Sequence, residues 1–218
     1  MKVDKLRTVI IYIIIILLGL VCLLPLLNIV AISFSSSAAV EGNMVGLIPV
    51  GFSTAAYKKI LEDSQFWHSF LISVERVVLA LIINFVLIVL MAYPLSKTNA
   101  QFRGRNIYAN LMIFAMLFNG GMIPTFLVVK SYGLLNTVWA LVLPGAVPIF
   151  NVILVMNFFA AVPKELEEAA FIDGANPFQV LTKIFIPISK PVLATVSLFS
   201  IVGSWNDFYS GLIYMSKA

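Results

Sequence analysis

Five stretches of about twenty residues, nearly all apolar, constrain this chain more than any other feature: 9–31, 70–95, 107–129, 137–159 and 192–212. Wound as a helix at 1.5 Å per residue, a run of that length matches the roughly 30 Å hydrocarbon core of a bilayer. Within lipid a backbone amide meets no water, so its partner must come from its own helix or from a closed barrel. The runs do not alternate apolar and polar positions as barrel strands do, so helices are expected throughout. With 61% hydrophobic and 11% charged residues and a mean hydropathy of +1.03, the chain is excluded from the water-soluble class. The expected fold is an all-α, polytopic integral-membrane bundle.

The cations orient it. Lys2, Lys5 and Arg7 precede the first run, Lys97, Arg103 and Arg105 separate the second from the third, and Lys164, Lys183 and Lys190 separate the fourth from the fifth. The opposite side carries Lys58, Lys59, Lys130 and Lys217. This bias places the N-terminus and the 163–190 segment in the cytoplasm. The first run is too long for a signal peptide and lacks a well-placed small-residue cleavage site, so it is expected to be retained. The net charge of +4 and the pI near 9.2 belong to these loops, and nucleic-acid binding is not indicated. The single Cys22 offers no disulfide framework, and the single His68 beside Trp67 reads as interfacial, with no metal site. Glu75 and Arg76 are helix neighbours that do not face each other, so each needs its own partner or must snorkel.

The 163–190 segment is the most specific stretch. Pro163 suits a first helical turn, where its missing N–H costs nothing, and Glu165, Glu167 and Glu168 follow where the helix dipole favours anions. Gly174 can adopt the left-handed conformation that stops a helix, and Asn176-Pro177 supplies an N-cap and first-turn residue for a second helix over 178–185. Leu166, Ala169, Ala170 and Asp173 fall three or four apart, which predicts one docking face with two alanines small enough for close approach.

Glu168-Ala169-Ala170, three residues, Gly174, nine residues, then Ile184-Phe185-Ile186-Pro187 resembles the EAA loop of ABC importer permeases, with Ile186 where that pattern has leucine. The 165–175 phrase, preceded by Phe158-Phe159 and Pro163, looks like the carbohydrate-uptake, maltose-type branch. Residues 119–124, 133–137 and 143–145 resemble its Gram-positive subgroup associated with oligosaccharides and polysaccharide fragments, and Trp205-Asn206-Asp207-Phe208 matches a Trp-Asn-Asp/Glu-Phe motif. The resemblance implies a type I importer permease in a bacterial cell membrane. It forms one permease domain over 1–218, with five spans of an expected six and the 163–190 EAA loop within it. It also implies a second homologous permease, two ATP-binding subunits holding ATP and Mg, and an extracytoplasmic sugar-binding protein.

By the same resemblance the helix around Glu168 is the coupling helix: Glu168 meets a basic group on the ATPase, Ala169 and Ala170 permit close packing, and Gly174 supports the bend between Asp173 and Ala175. Arg76 fits the family pattern at its position as a structural residue. The chain has no Gly-x-x-x-x-Gly-Lys-Ser/Thr phosphate loop, so hydrolysis is expected on the partners and not on this chain.

A translocation path is expected where the spans are interrupted. Asn119, Gly120, Gly121 and Pro124 break the third run, and Pro144, Gly145 and Pro148 break the fourth; they either line a passage or are kinks that neighbouring helices absorb. Trp205, Asn206 and Asp207 lie roughly 20 Å along the fifth run, where an indole beside polar groups suits a sugar ring or, alternatively, anchors the interface. A secondary transporter or channel would use ionisable groups deep in its spans, and the central portions here hold essentially none. No polar catalytic set stands at depth for an intramembrane enzyme. A permease for amino acids, phosphonates or metals would keep the same fold, whereas the 165–175 phrase and the Trp205 motif favour sugar.

Overall fold

The computed structural model describes residues 2–215; Lys217, counted above among the outer-side cations, and the 216–218 end lie outside the described residues. Every regular element among those residues is helical. Two compact units, Met1–Phe70 and Leu71–Ala218, make up the chain.

The first unit is led by α1 (Lys2–Ser33), whose Arg7–Ser33 portion contains an eighteen-residue stretch with a mean hydropathy of 3.2 and no buried residue, while Ala31 near its end is buried. A helix apolar on all sides suits lipid or another membrane helix. Short helices α2 (Ser37–Glu41) and α3 (Ala55–Glu62) follow. The end of α1 is fastened locally: the Ser35 hydroxyl donates to Ala31 O at 2.6 Å and accepts from Val50 N at 3.0 Å, and Asn28 Nδ2 donates to Gly46 O at 2.7 Å.

Helix α4 (Ser64–Leu95) leads into the second unit and is about 48 Å long, more than the hydrocarbon core requires. Its buried residues are Arg76, Ala80, Asn84, Ile88, Val89, Ala92 and Leu95, a narrow stripe at four-residue spacing that faces the bundle. Further along come α5 (Arg105–Leu117), α6 (Met122–Ser131), α7 (Val138–Val142) with a 3₁₀ turn over Leu143–Gly145, and α8 (Ile149–Ala160). Helix α8 packs against α5 and against α12 (Lys190–Asn206). Their buried residues, Val152, Val155 and Phe159 on α8 and Leu193 and Val196 on α12, form the main core with Ile88, Ala92 and Phe185. A smaller core joins Val129, Ala140 and Tyr214, and ties α13 (Phe208–Tyr214) to α6 and α7.

Two of the five expected runs are bent. Helices α5 and α6 turn by 113° across residues 118–121, and the α7–α8 pair by 48° at its two prolines. The first break needs Gly121, whose φ of +86° lies in the left-handed region. The expected fifth run over 192–212 is corrected. Helix α12 stops at Asn206, and the Asp207 side chain accepts from Ser210 N at 3.1 Å to start α13 as its N-cap. A helix expected over 178–185 is instead α10 (Pro177–Val180), a π turn over Leu181–Phe185 and α11 (Ile186–Ile188), meeting α12 at 84°.

Candidate functional site

Helix α9 (Lys164–Ile172) begins after Pro163 and has Glu165 and Glu167 in its first turn, against the positive end of the dipole. It closes when Ala175 N donates to Ala170 O at 2.9 Å and Gly174 N to Phe171 O at 3.1 Å, with Gly174 at φ +83°. Nothing lies within 4 Å of a Cβ built on Gly174, so conformation alone demands glycine there. The next helix opens with a full capping box: Gln179 N donates to Asn176 Oδ1 and Asn176 N to Gln179 Oε1, each at 2.9 Å. A helix, a bend and a helix stand where the sequence put them.

The helix has two faces. Outward, Glu168, Ala169 and Asp173 are exposed together with Leu166, Phe171, Phe178 and Ile172, the last 86% exposed. Inward, Ala170 and Ala175 pack on the main core. Ala170 therefore does not share the outer face with Leu166, Ala169 and Asp173 as expected; its small side chain lets α9 sit close to its own bundle.

Glu167, only 8% exposed, accepts from Lys97 Nζ at 2.7 Å and from the Tyr93 hydroxyl at 3.4 Å. The Lys97 ammonium lies 4.1 Å from the Tyr93 ring centre and 4.2 Å from that of Phe185. Burial pushes the Lys97 ammonium below its ordinary range, and the hydrogen bond and charge of Glu167 pull it back. The sequence marked Lys97 for orientation and Glu167 for the helix dipole, and did not mark them as a pair. The available signal was Lys97 directly after a span and Glu167 three residues from an inward alanine.

A second place of interest is a polar cleft of about 390 Å³ in the second unit, lined in part by Arg76, Asn84, Asn151, Ser200, Ser204 and Asp207. Arg76, 8% exposed, donates through Nη1 to the Asp207 carbonyl at 2.8 Å and through Nη2 to the Asp207 carboxylate, while its Nε has no partner. With the Asn84 amide nitrogen turned to the Ala80 and Ala146 carbonyls, at 3.2 and 3.0 Å, its oxygen faces the Ser200 hydroxyl. The kink at Pro144, Gly145 and Pro148 forms part of the same wall.

Of the path residues read from sequence, Pro144, Gly145, Pro148 and Asp207 line this cleft, and Asn119, Gly120, Gly121, Pro124, Trp205 and Asn206 do not. Trp205 is 55% exposed and Asn206 is exposed beside it. Asn119, Gly120 and Gly121 are exposed at the α5–α6 bend, where Asn119 Oδ1 accepts from Gly121 N at 2.8 Å and steadies the turn. Among the described residues no three His, Cys, Asp or Glu side chains gather where a metal ion could be held.

Residues 48–218 match the family model described as "Binding-protein-dependent transport system inner membrane component". Protein LplC of Bacillus subtilis (strain 168) is 45% identical over 200 residues, which cover 92% of this chain and 67% of LplC. The polygalacturonan/rhamnogalacturonan transport system permease protein YtcP of the same organism is 41% identical over 215 residues, 99% of this chain and 74% of YtcP. A crystal structure of a bacterial ABC transporter involved in the import of the acidic polysaccharide alginate superposes with a TM-score of 0.92 at 34% identity, covering all of this chain (100%) and 77% of its own. With these relatives and its apolar spans, the chain belongs to the family of inner membrane components of binding-protein-dependent transport systems.

Proposed function

We propose that this chain is the membrane-spanning permease subunit of an ATP-driven ABC importer whose cargo is a carbohydrate, an oligosaccharide or polysaccharide fragment. The observation that carries the reading is the α9–α10 bend: it is anchored from beneath by core residues and presents Leu166, Phe171, Ile172 and Phe178 outward. An apolar cluster on a polar loop fits a protein partner better than solvent. The polygalacturonan/rhamnogalacturonan system of YtcP and the alginate importer support carbohydrate as the solute class.

In this reading the N-terminus and the 163–190 loop are cytoplasmic, within one permease domain over 1–218. Glu168 meets a basic group of an ATP-binding subunit, Ala169 permits its approach, and Asp173 borders the contact. Gly174 and Ala175 hold the bend, and Ala170 seats the helix on its own bundle. Two ATP-binding subunits, carrying ATP and Mg, close on nucleotide and move α9, which shifts the bundle between inward-facing and outward-facing states. A second homologous permease completes the membrane part, and an extracytoplasmic binding protein delivers solute. The polar cleft with Asp207 lines the sugar path, with Trp205, Asn206 and the Asn119-Gly120-Gly121 bend bordering it towards the partner permease.

The test is purification of the complex from native membrane in mild detergent with Ala169→Cys as a cross-linking handle. An Ala169–ATPase adduct and ATPase activity stimulated by the co-purified binding protein with an oligogalacturonide or alginate-oligomer digest support the reading. A homo-oligomer without ATPase would overturn it.

A further inference from the structure

Helix α9 has nine residues, too few to hold its shape in water by backbone bonding alone, so a push on its outer face reaches the bundle only through fastenings on its inner face. Ala170 and Ala175 supply apolar contact without direction. Directional attachment comes from Glu167. Its carboxylate is held by Lys97, two residues past the end of α4, and by Tyr93 within the last turn of α4.

The lysine has little alternative. Both side chains of the pair are almost wholly covered, at 12% and 11% exposure, and two ring faces close over the ammonium. Those rings are themselves fixed: Phe185 packs edge-on against Tyr93 at 5.1 Å and against Phe159 of α8 at 5.4 Å. A buried pair in which each charge has its partner and its surroundings is costly to open, because opening strands both charges. The buried stripe of α4 then runs from Leu95 back to Asn84 and Arg76 in the wall of the polar cleft, about 29 Å away along the helix.

We propose that Glu167 and Lys97 are positioning residues that latch α9 to the end of α4, so that displacement of α9 is delivered as a rigid-body movement of α4 and reaches the cleft through its buried stripe. This rests on α9 being the ATPase-docking helix. Glu168 and Glu167 then divide the work: the exposed carboxylate faces the partner and the buried one faces the chain's own bundle.

The experiment uses the purified complex in nanodiscs with Cys22→Ser and spin labels at Leu90, on the exposed side of α4, and Glu165, exposed in the first turn of α9. Pulsed electron–electron distances are compared without nucleotide and after ATP–vanadate trapping. In the otherwise native chain the 90–165 distance is expected to stay single and unchanged between the two states. With Glu167→Gln or Lys97→Met a second, longer distance is expected on trapping. Lys97→Arg, which keeps a cation between the two rings and towards Glu167, is expected to keep the single peak, which a purely space-filling role would not distinguish from Lys97→Met.

A 90–165 distance that changes with nucleotide in the native chain overturns the latch without any variant, as does a native response from Glu167→Gln. Cross-linking at Ala169 is scored separately. Its absence removes the docking reading, whereas its presence with a failed distance test removes the latch alone.

Discussion

Asp207→Ala removes two things at once. The first is the carboxylate opposite Arg76, whose Nε already lacks a partner and whose side chain is only 10% exposed. Removing one member of a buried ion pair costs about 3–5 kcal/mol, because the remaining charge keeps its desolvation without its counter-charge. Asp207 is 32% exposed, so water partly replaces it and the lower end, about 3 kcal/mol, applies. The second is the N-cap of α13, where the carboxylate accepts from Ser210 N, worth about 1 kcal/mol. The Arg76 bond to the Asp207 carbonyl survives the change, since it uses the backbone.

The total near 4 kcal/mol corresponds to a drop of roughly 8–16 °C in apparent melting temperature for a chain of this size. Fluorescence-detected size exclusion of the solubilised complex after heating reads it directly. Asp207→Asn keeps a capping oxygen and should fall between native and alanine. Arg76→Met with Asp207→Ala removes the stranded charge and should recover part of the loss. Asp207→Ala melting with the native protein, or a double variant no better than the single one, would refute the assignment of the energy to the ion pair.

Glu168→Lys and Gly174→Pro should abolish uptake while membrane insertion, judged by fractionation, stays native; normal uptake by both would remove the loop from coupling. Ile172→Asp should leave the melting temperature in place, given its exposure, and reduce the ATP-binding subunit retained on affinity purification. Asn176→Ala loses the capping box and should cost about 1 kcal/mol, visible as faster amide exchange over residues 177–180. Ala92→Leu places a larger side chain where Ala92 is fully enclosed in the core and should cost about 1–3 kcal/mol, read in the same heating assay.

Much of this architecture could be read without coordinates because it rests on local chemistry. Run length fixed the spans, proline and glycine marked the breaks at 119–124 and 144–148, and Gly174 with Asn176 marked the bend in the loop. The break at Asp207 escaped because apolar residues continue on both sides, and hydropathy does not register a carboxylate capping a backbone N–H three residues ahead. The two ion pairs escaped for a different reason. Arg76 and Asp207 are 131 positions apart, and Lys97 and Glu167 are 70 apart, so nothing local couples them. The inward turn of Ala170 was ambiguous because i,i+4 and i,i+3 spacing places it equally well beside Leu166 or Glu167 until the bundle supplies a wall.

The unequal character of the helices bears on how the chain enters its membrane during synthesis. Helix α1 and most of α4 are continuous and apolar enough for lipid to accept each of them alone. The later elements are broken at 113°, 48° and 84°, and each break frees backbone groups that hydrocarbon does not tolerate. The ribosome thus delivers the self-sufficient segments first and the dependent ones last. The broken helices emerge after α4, whose buried stripe can already shelter them, and any stall between α4 and α8 leaves a fragment that the cell's membrane proteases should clear.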